Sequence, residues 1–437
     1  MTFTARSPRA RFTARPAAWL DRWGSIVPLL AAEFIVWLGF GALLPVLPIY
    51  FTEHGTDLRM LGVVIAAWPA ARLFTEPLFG WVADRVARKP LMVIGLFACA
   101  IATVLPLAIV GPIAFLVFRA LAGLATSIYD PAARGYLVDA NPPEQQGETF
   151  GLYGAAQMGG LMLGPAVGGI AVALTRDPTI GFWVAGLALF VAGILVAVRI
   201  PEPSREERAA HALERAATVE KQAERSGAIP PPTSLANKFL AAAVVMNLAW
   251  FFTSGAYEVV WSLYLTSIGG TIELVGLTFA AFALPVLVLA PIAGRFVDRR
   301  GGYVALLVGM GVATGCGPIY PVIPEVWFVV LLGLVEGAAF ALGSPALFAL
   351  VARASPPGRS STAQGIFGAA GTIGTIIASV SAGALAAIDL RYPYYVVGIA
   401  GLLGLAIGHL IAGRDLYTIL QPTTVPEPPH LESPPFG

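Results

Sequence analysis

The sequence is short of charge, of histidine and of cysteine. Charged residues make up 12 % of its 437 residues, and histidine occurs four times. A soluble domain carries about 25 % charged residues, so a soluble fold of this length is excluded. The charges nearly cancel, to a formal +1, which gives no electrostatic reason for a nucleic-acid partner. The two cysteines, Cys99 and Cys316, both lie in apolar runs. They allow no disulfide framework and no metal set. There is no nucleophile–base set and no phosphate-binding glycine loop, so neither an enzyme nor a cofactor is expected. Residues 1–24 hold Arg6, Arg9, Arg11 and Arg15 without an apolar core or cleavage site; no secretory signal is read there.

What is abundant is apolar sequence, 57 % of the chain. About 20 apolar residues cross the hydrocarbon of a bilayer. That length predicts twelve spans, at 25–51, 58–82, 90–110, 112–136, 147–173, 180–200, 238–267, 273–296, 303–323, 326–350, 361–387 and 391–412. The expected fold is therefore an all-α integral membrane protein with 12 transmembrane helices. Six fall in a bundle at 25–200 and six in a second at 238–412. A basic segment, 1–24, precedes them, a linker, 201–237, joins them, and a proline-rich tail, 413–437, follows. Within the linker, residues 203–226 are rich in Ala, Glu and Arg and read as a helix, more simply a solvated or membrane-surface linker than a regulatory module.

A repeat supports the division. Gly80-Trp-Val-Ala-Asp84-Arg85 recurs as Gly294-Arg-Phe-Val-Asp298-Arg299, offset by 214 residues (294 − 80). The same offset relates Gly62 to Gly276, Pro77 to Pro291, Pro131 to Pro345 and Gly151 to Gly365. An offset kept without a gap means two copies of one unit. Lys and Arg give the orientation, because they accumulate in cytoplasmic loops. With both termini inside, 22 of the 27 Lys and Arg residues are cytoplasmic and 3 are outside. Arg72 and Arg119 remain in the membrane.

Ionisable groups inside a span cost about 2.5–3.5 kcal/mol each and mark candidate sites. These are Glu33 in span 1, Arg72 and Glu76 in span 2, Arg119 and Asp130 in span 4, Glu258 in span 7 and Glu336 in span 10. Arg72 and Glu76, four apart, face each other on one helix; a self-neutralising pair is the simpler reading and a substrate or proton role the sharper one. Arg119 has no acid within a turn on its own helix, so its partner comes from another helix, water or a substrate. It stays charged and can tune a nearby carboxylate. Glu33 is a candidate proton carrier, or else bonds a carbonyl or pairs with Arg72. Asp130, before Pro131, reads as a helix-break cap or a substrate contact. In span 5, Gly160, Gly164, Pro165, Gly168 and Gly169 make a nearly bare helix face suited to close packing.

These residues carry a resemblance. Gly80-x-x-x-Asp84-Arg85-x-x-Arg88-Lys89 resembles the loop signature between helices 2 and 3 of the major facilitator superfamily. The second copy, through Asp298 and Arg299, stands where that family has one, but Gly302 and Tyr303 replace Arg88 and Lys89. Arg119-Ala-Leu-Ala-Gly123, the glycines of span 5 and Pro45-Val-Leu-Pro48-Ile-Tyr50 resemble motifs of its twelve-helix drug:proton antiporters. The resemblance implies a monomeric secondary transporter in the cytoplasmic membrane that exchanges small amphipathic or apolar compounds for protons. It implies that Asp84, Arg88 and Asp139 form a cytoplasmic latch, that Arg119 lies near the proton path with Glu33 as the coupling acid, and that the span 5 motif limits leak. A sugar or organic-anion uniporter or symporter of the same superfamily is the alternative reading. A membrane scaffold or sensor without flux is a third.

Overall fold

The computed structural model describes residues 23–83, 85–140, 146–202, 234–356 and 360–421. Asp84, the arginines of residues 1–22, the helix expected at 203–226 and the end of the tail lie outside the described residues, as does the side chain of Asp298. Among the described residues every regular element is a helix. Ten are long and apolar enough to cross a membrane. A bent pair, Val27–Leu43 and Leu47–Glu53, makes an eleventh span, and the shorter apolar helix Tyr303–Ile319 takes the place of the twelfth. In chain order the spans are 1 (that bent pair), 2 (Leu58–Ala83), 3 (Arg88–Val104), 4 (Pro112–Ala140), 5 (Gln146–Thr175), 6 (Ile180–Arg199), 7 (Lys238–Ser267), 8 (Ile272–Arg300), 9 (Tyr303–Cys316), 10 (Val326–Arg353), 11 (Ser360–Ala386) and 12 (Tyr392–Ala412).

Three departures from the expected spans have local causes. Span 1 bends by 42° between Leu43 and Leu47, next to Pro45 and Pro48, which cannot donate to the helix ladder. Spans 3 and 9 end early, at Val104 and Cys316, and finish as single 3₁₀ turns, Leu105–Leu107 and Gly317–Ile319, each with a proline inside. Spans 4 and 8 run past their apolar stretches, to Ala140 and Arg300. Hydropathy marks where lipid ends, whereas the helix ends where its backbone bonds do. Span 4 also passes through Pro131 without a break, so Asp130 caps nothing there.

The repeat is visible in the packing. Span 1 packs on spans 5 and 6 as span 7 packs on 11 and 12, and span 2 packs on 4 as span 8 packs on 10. One hydrogen bond repeats residue for residue. Tyr50 Oη donates to the Pro106 carbonyl at 3.3 Å, and Tyr264 Oη to the Tyr320 carbonyl at 3.0 Å; both acceptors sit in or beside the two 3₁₀ turns. The bundles meet along two crossings, span 2 with span 11 and span 5 with span 8, which the same offset interchanges.

The alternating direction of the spans gives the molecule two ends. The near end carries Trp23, the loop residues 85–87 and Leu420; the far end carries the loops after Glu53, Thr175, Ser267 and Ala386. At the far end one apolar core joins both bundles, including Tyr50, Phe51, Phe115 and Phe182 from the first and Trp261, Tyr264, Tyr320 and Tyr394 from the second. At the near end each bundle has its own core. The two halves are thus sealed together at the far end and separately packed at the near end. Beyond span 12, a short helix, Asp415–Ile419, docks on the second bundle. Leu416 and Leu420 are fully buried there, so the stretch expected as tail begins as packed structure.

Candidate functional site

Between the bundles, on the near side of the shared core, lies a cavity of about 260 Å³. The first bundle contributes only Phe40, Leu44, Leu161, Met162 and Pro165 to its wall, all apolar. The second contributes the aromatic and polar groups, among them Trp250, Tyr257, Trp261, Phe282 and Phe340, together with the carboxylates of Glu258 and Glu336. The rings of Trp250 and Phe340 lie 4.9 Å apart at a tilt of 33°, and those of Tyr257 and Trp261 lie 5.1 Å apart. Aromatic faces attract cations as well as apolar groups. The aromatic and ionisable groups of the wall are therefore concentrated in the second half.

Arg119 finds its partner across the interface. Its Nη2 lies 2.7 Å from Glu258 Oε1, so spans 4 and 7 of opposite bundles are tied by a buried ion pair at the cavity's edge. The sequence leaves that partner open and couples Arg119 with Glu33; the structure sets Glu33 elsewhere. Glu336 accepts a hydrogen bond from Tyr320 Oη at 2.5 Å.

Glu33 is wholly buried inside the first bundle and lines none of the cavity. Neither Arg72 nor a carbonyl holds it. Instead it accepts from Trp37 Nε1 (2.8 Å), Gln157 Nε2 (2.6 Å) and Tyr129 Oη (2.5 Å), which joins spans 1, 4 and 5. Three neutral donors satisfy a buried carboxyl without a counter-ion.

Arg72 does bond Glu76, at 3.1 Å, but it also bonds Asp130, at 2.5 Å. Arg134 completes a ring of two acids and two bases, 2.7 Å from Glu76 and 3.6 Å from Asp130. The group is neutral as a set, so none of its members carries an unbalanced charge.

At the near end Arg88 Nε lies 2.7 Å from Asp139 Oδ2, within the first bundle. The guanidinium occupies the space above Gly135. A Cβ on that glycine would fall 1.2 Å from Arg88 Nη1, so only glycine leaves room for it. Arg85 stacks on Trp81 at 3.9 Å. The backbone N–H groups of Arg88 and Lys89 donate to the two carboxylate oxygens of Glu202, at 3.0 and 2.7 Å. Sequence reading missed Arg134, Gln157, Gly135 and Glu202. Gly135 and Arg88 are linked only through the fold, as are Gln157 and Glu33.

The glycines of span 5 serve close approach. A Cβ at Gly160, Gly164 or Gly168 would fall 2.3, 2.5 and 2.3 Å from the carbonyls of Phe34, Leu38 and Ala42, so span 5 lies against span 1 backbone to backbone. Gly169 faces the other way, toward Gly276 of span 8.

Comparison with known proteins agrees with this architecture. A family model described as Major Facilitator Superfamily matches residues 29–266 and again 239–434. The chain belongs to the Major Facilitator Superfamily. Among its relatives is the quinolone resistance protein NorA of Staphylococcus aureus (strain N315), 26 % identical over 232 residues, which are 53 % of this chain and 56 % of that protein. The match thus spans little more than half the length of that relative. Multidrug resistance protein 2 of Bacillus subtilis (strain 168) is 25 % identical over 389 residues, 87 % of this chain and 93 % of the other. In fold the chain is similar to the nucleoside transporter NupG, with a TM-score of 0.70 at 14 % identity over 88 % of this chain and 98 % of that one. It is also similar to a D-xylose-proton symporter, with a TM-score of 0.67 at 16 % identity over 87 % and 96 %.

Proposed function

We propose that this superfamily member is a proton-coupled exporter of small amphipathic or apolar compounds, with its near end cytoplasmic. One observation carries the reading: an aromatic cavity between the halves is lined by two carboxylates, one of them ion-paired to Arg119 of the opposite half. Among the described residues the wall offers an anionic cargo no free cation, since Arg119 is already paired to Glu258 and no Lys or Arg lines the cavity, which weighs against the organic-anion alternative. The similarity to a quinolone resistance protein and a multidrug resistance protein points the same way.

The mechanism follows from what competes for Glu258. Ionised, it holds Arg119 and so holds the halves in one relation. A proton on Glu258 removes that tie, because a neutral carboxyl no longer balances the buried guanidinium. Cargo in the cavity and a proton on Glu258 then bias one rocking equilibrium, which is the condition for coupled exchange. Glu336 is a second acceptor on the same wall.

Inside-out vesicles with an acidic lumen test the reading. A compound that is a substrate collapses the gradient, seen with a pH-sensitive dye, and Glu258→Gln or Arg119→Ala abolishes the collapse. Counterflow of a sugar or organic anion, with no compound discharging the gradient, would overturn it.

A further inference from the structure

The two near-end loops that carry the repeated motif are held differently. In the second bundle the loop at 301–302 is fastened by buried structure. The Gly302 N–H donates to the Leu420 carbonyl at 2.8 Å, and Leu416 and Leu420 are wholly buried. Arg353 Nη1 caps the same short helix through the carbonyls of Ile419 (2.8 Å) and Gln421 (2.5 Å), and Lys238 pairs with Asp415. The residue 214 before Gly302 is Arg88. Its N–H is also held by the segment that leaves the sixth span of its own half, but here by one exposed carboxylate, Glu202.

Glu202 sits at the N-terminus of span 3, where four backbone N–H groups lack helical partners and the helix dipole favours an anion. It takes two of them, those of Arg88 and Lys89. The same Arg88 sends its guanidinium over Gly135 to Asp139. The position of that guanidinium therefore depends on a backbone that Glu202 fixes. The loop with the full basic motif is the one held by a single replaceable side chain.

We infer that Glu202 is a positioning residue for the near-end latch: by capping span 3 it sets the loop from which Arg88 reaches Asp139. This rests on the alternating-access reading above. An N-cap carboxylate with two charge-assisted bonds is expected to change a conformational ratio about five- to tenfold when removed. The loss falls on the near-closed state, where the latch loop has to meet the second bundle in register.

The experiment is a double electron–electron resonance distance across the near end in the full chain, with spin labels at Arg199 and Tyr417. Wild type is compared with Glu202→Ala, Glu202→Gln, Arg88→Ala and the Glu202→Ala/Arg88→Ala double variant, with and without substrate. Glu202→Ala is expected to lower the short-distance (near-closed) fraction five- to tenfold, and Glu202→Gln, which keeps an acceptor, about half as far on a logarithmic scale. In the Arg88→Ala background Glu202→Ala is expected to add little, since its effect runs through Arg88. An unchanged distribution in Glu202→Ala, or an undiminished effect in the Arg88→Ala background, overturns the proposal. A single fixed distance in wild type under every condition would instead overturn the alternating-access reading.

Discussion

The two crossings between the bundles make opposite predictions for glycines at their two ends. At the far end Gly62 of span 2 lies against span 11. A Cβ there would fall 2.4 Å from the Ser379 carbonyl and 3.0 Å from Gly383 Cα. The partner, Gly383, would place a Cβ 2.4 Å from the Leu58 carbonyl and 2.8 Å from Gly62 Cα. These neighbours are backbone, so no side chain can swing aside. Ordinary contact needs about 1 Å more, and the far-closed arrangement loses about 1–3 kcal/mol, as for other overpacked contacts. That is a shift of about 5–150-fold in the ratio of states. The helix propensity that alanine gains, about 1 kcal/mol, is present in both states and cancels in the ratio. Gly294, Gly365 and Gly368, at the near ends of spans 8 and 11, would each place a Cβ in open space. Alanine there costs nothing in this state and encounters the opposite bundle only when the near end closes. Gly62→Ala is therefore expected to enrich the far-open state and Gly365→Ala the near-open state. Spin labels at Ile109 and Ile388, both exposed at the far end, would read the first shift, and the near-end pair the second. If Gly62→Ala leaves the far-end distance unchanged, or if both variants shift it in the same direction, the rocking geometry deduced from these contacts is wrong.

Other expectations follow from single contacts. Gly135→Ala should expel the Arg88 guanidinium from its seat and resemble Arg88→Ala in transport rate, whereas Gly154→Ala, with nothing within 4 Å, should be silent; equal losses would refute the seat. Glu33→Leu should lower thermal stability in detergent by about 2–5 kcal/mol, since it strands the Trp37, Tyr129 and Gln157 donors, and Glu33→Gln by less. If Glu33→Gln kept its stability but lost proton coupling, a structural account of Glu33 would fail. Arg119→Ala should cost about 3–5 kcal/mol as an orphaned buried charge, and the uncharged pair Arg119→Gln/Glu258→Gln should recover much of that stability while remaining uncoupled.

The fold was largely legible because its two signals are one-dimensional. Apolar length gives the spans, and a fixed offset gives the two bundles, with no long-range contact to be guessed. That span 5 would pack closely on a neighbour was visible as well, since glycines spaced by about one turn leave few other purposes, but only the fold shows that the neighbour is span 1. The site was legible only as a census of costly residues. Sequence names Arg119 and Glu258 separately, but 139 residues divide them, and nothing local indicates that they meet. In sequence Arg134 counts with the cytoplasmic charges because it stands within a turn of the inner end of the expected span, whereas the helix runs on to Ala140. Glu33 looked like a cavity acid because burial in lipid and burial in a protein core read alike in hydropathy. Glu202 lay at the first polar residues after span 6, where a carboxylate is ordinary until its two backbone partners are seen.

The repeat itself locates the chemistry, by where it fails. The offset that carries the Tyr50–Pro106 bond onto Tyr264–Tyr320 also carries Glu33 onto Asn247, Arg119 onto Gly333 and Glu258 onto Leu44. Asn247 keeps a scaffold task, donating to the Phe367 carbonyl at 2.7 Å in the core of the second bundle. Glu33 and Asn247 thus occupy one architectural position, buried and hydrogen-bonded within their own halves. Arg119 and Glu258 have no counterparts of their kind. Their partner positions are a glycine and a leucine that line the cavity, so the ion pair breaks the two-fold relation at the site. A symmetric scaffold can rock either way with equal ease. On the proposed proton-coupled reading, a charge pair anchored once in each half, at positions the other half leaves uncharged, would give that motion a preferred state and a handle for protons. Grafting the pair's mirror image, Leu44→Glu with Gly333→Arg, onto an Arg119→Gln/Glu258→Gln background tests this. Substrate-triggered proton release regained by the graft would show that the location of the pair, and not the ancestry of either half, carries the coupling. A stable, folded graft that binds substrate and moves no protons would show that span 4 and span 7 supply something beyond the pair.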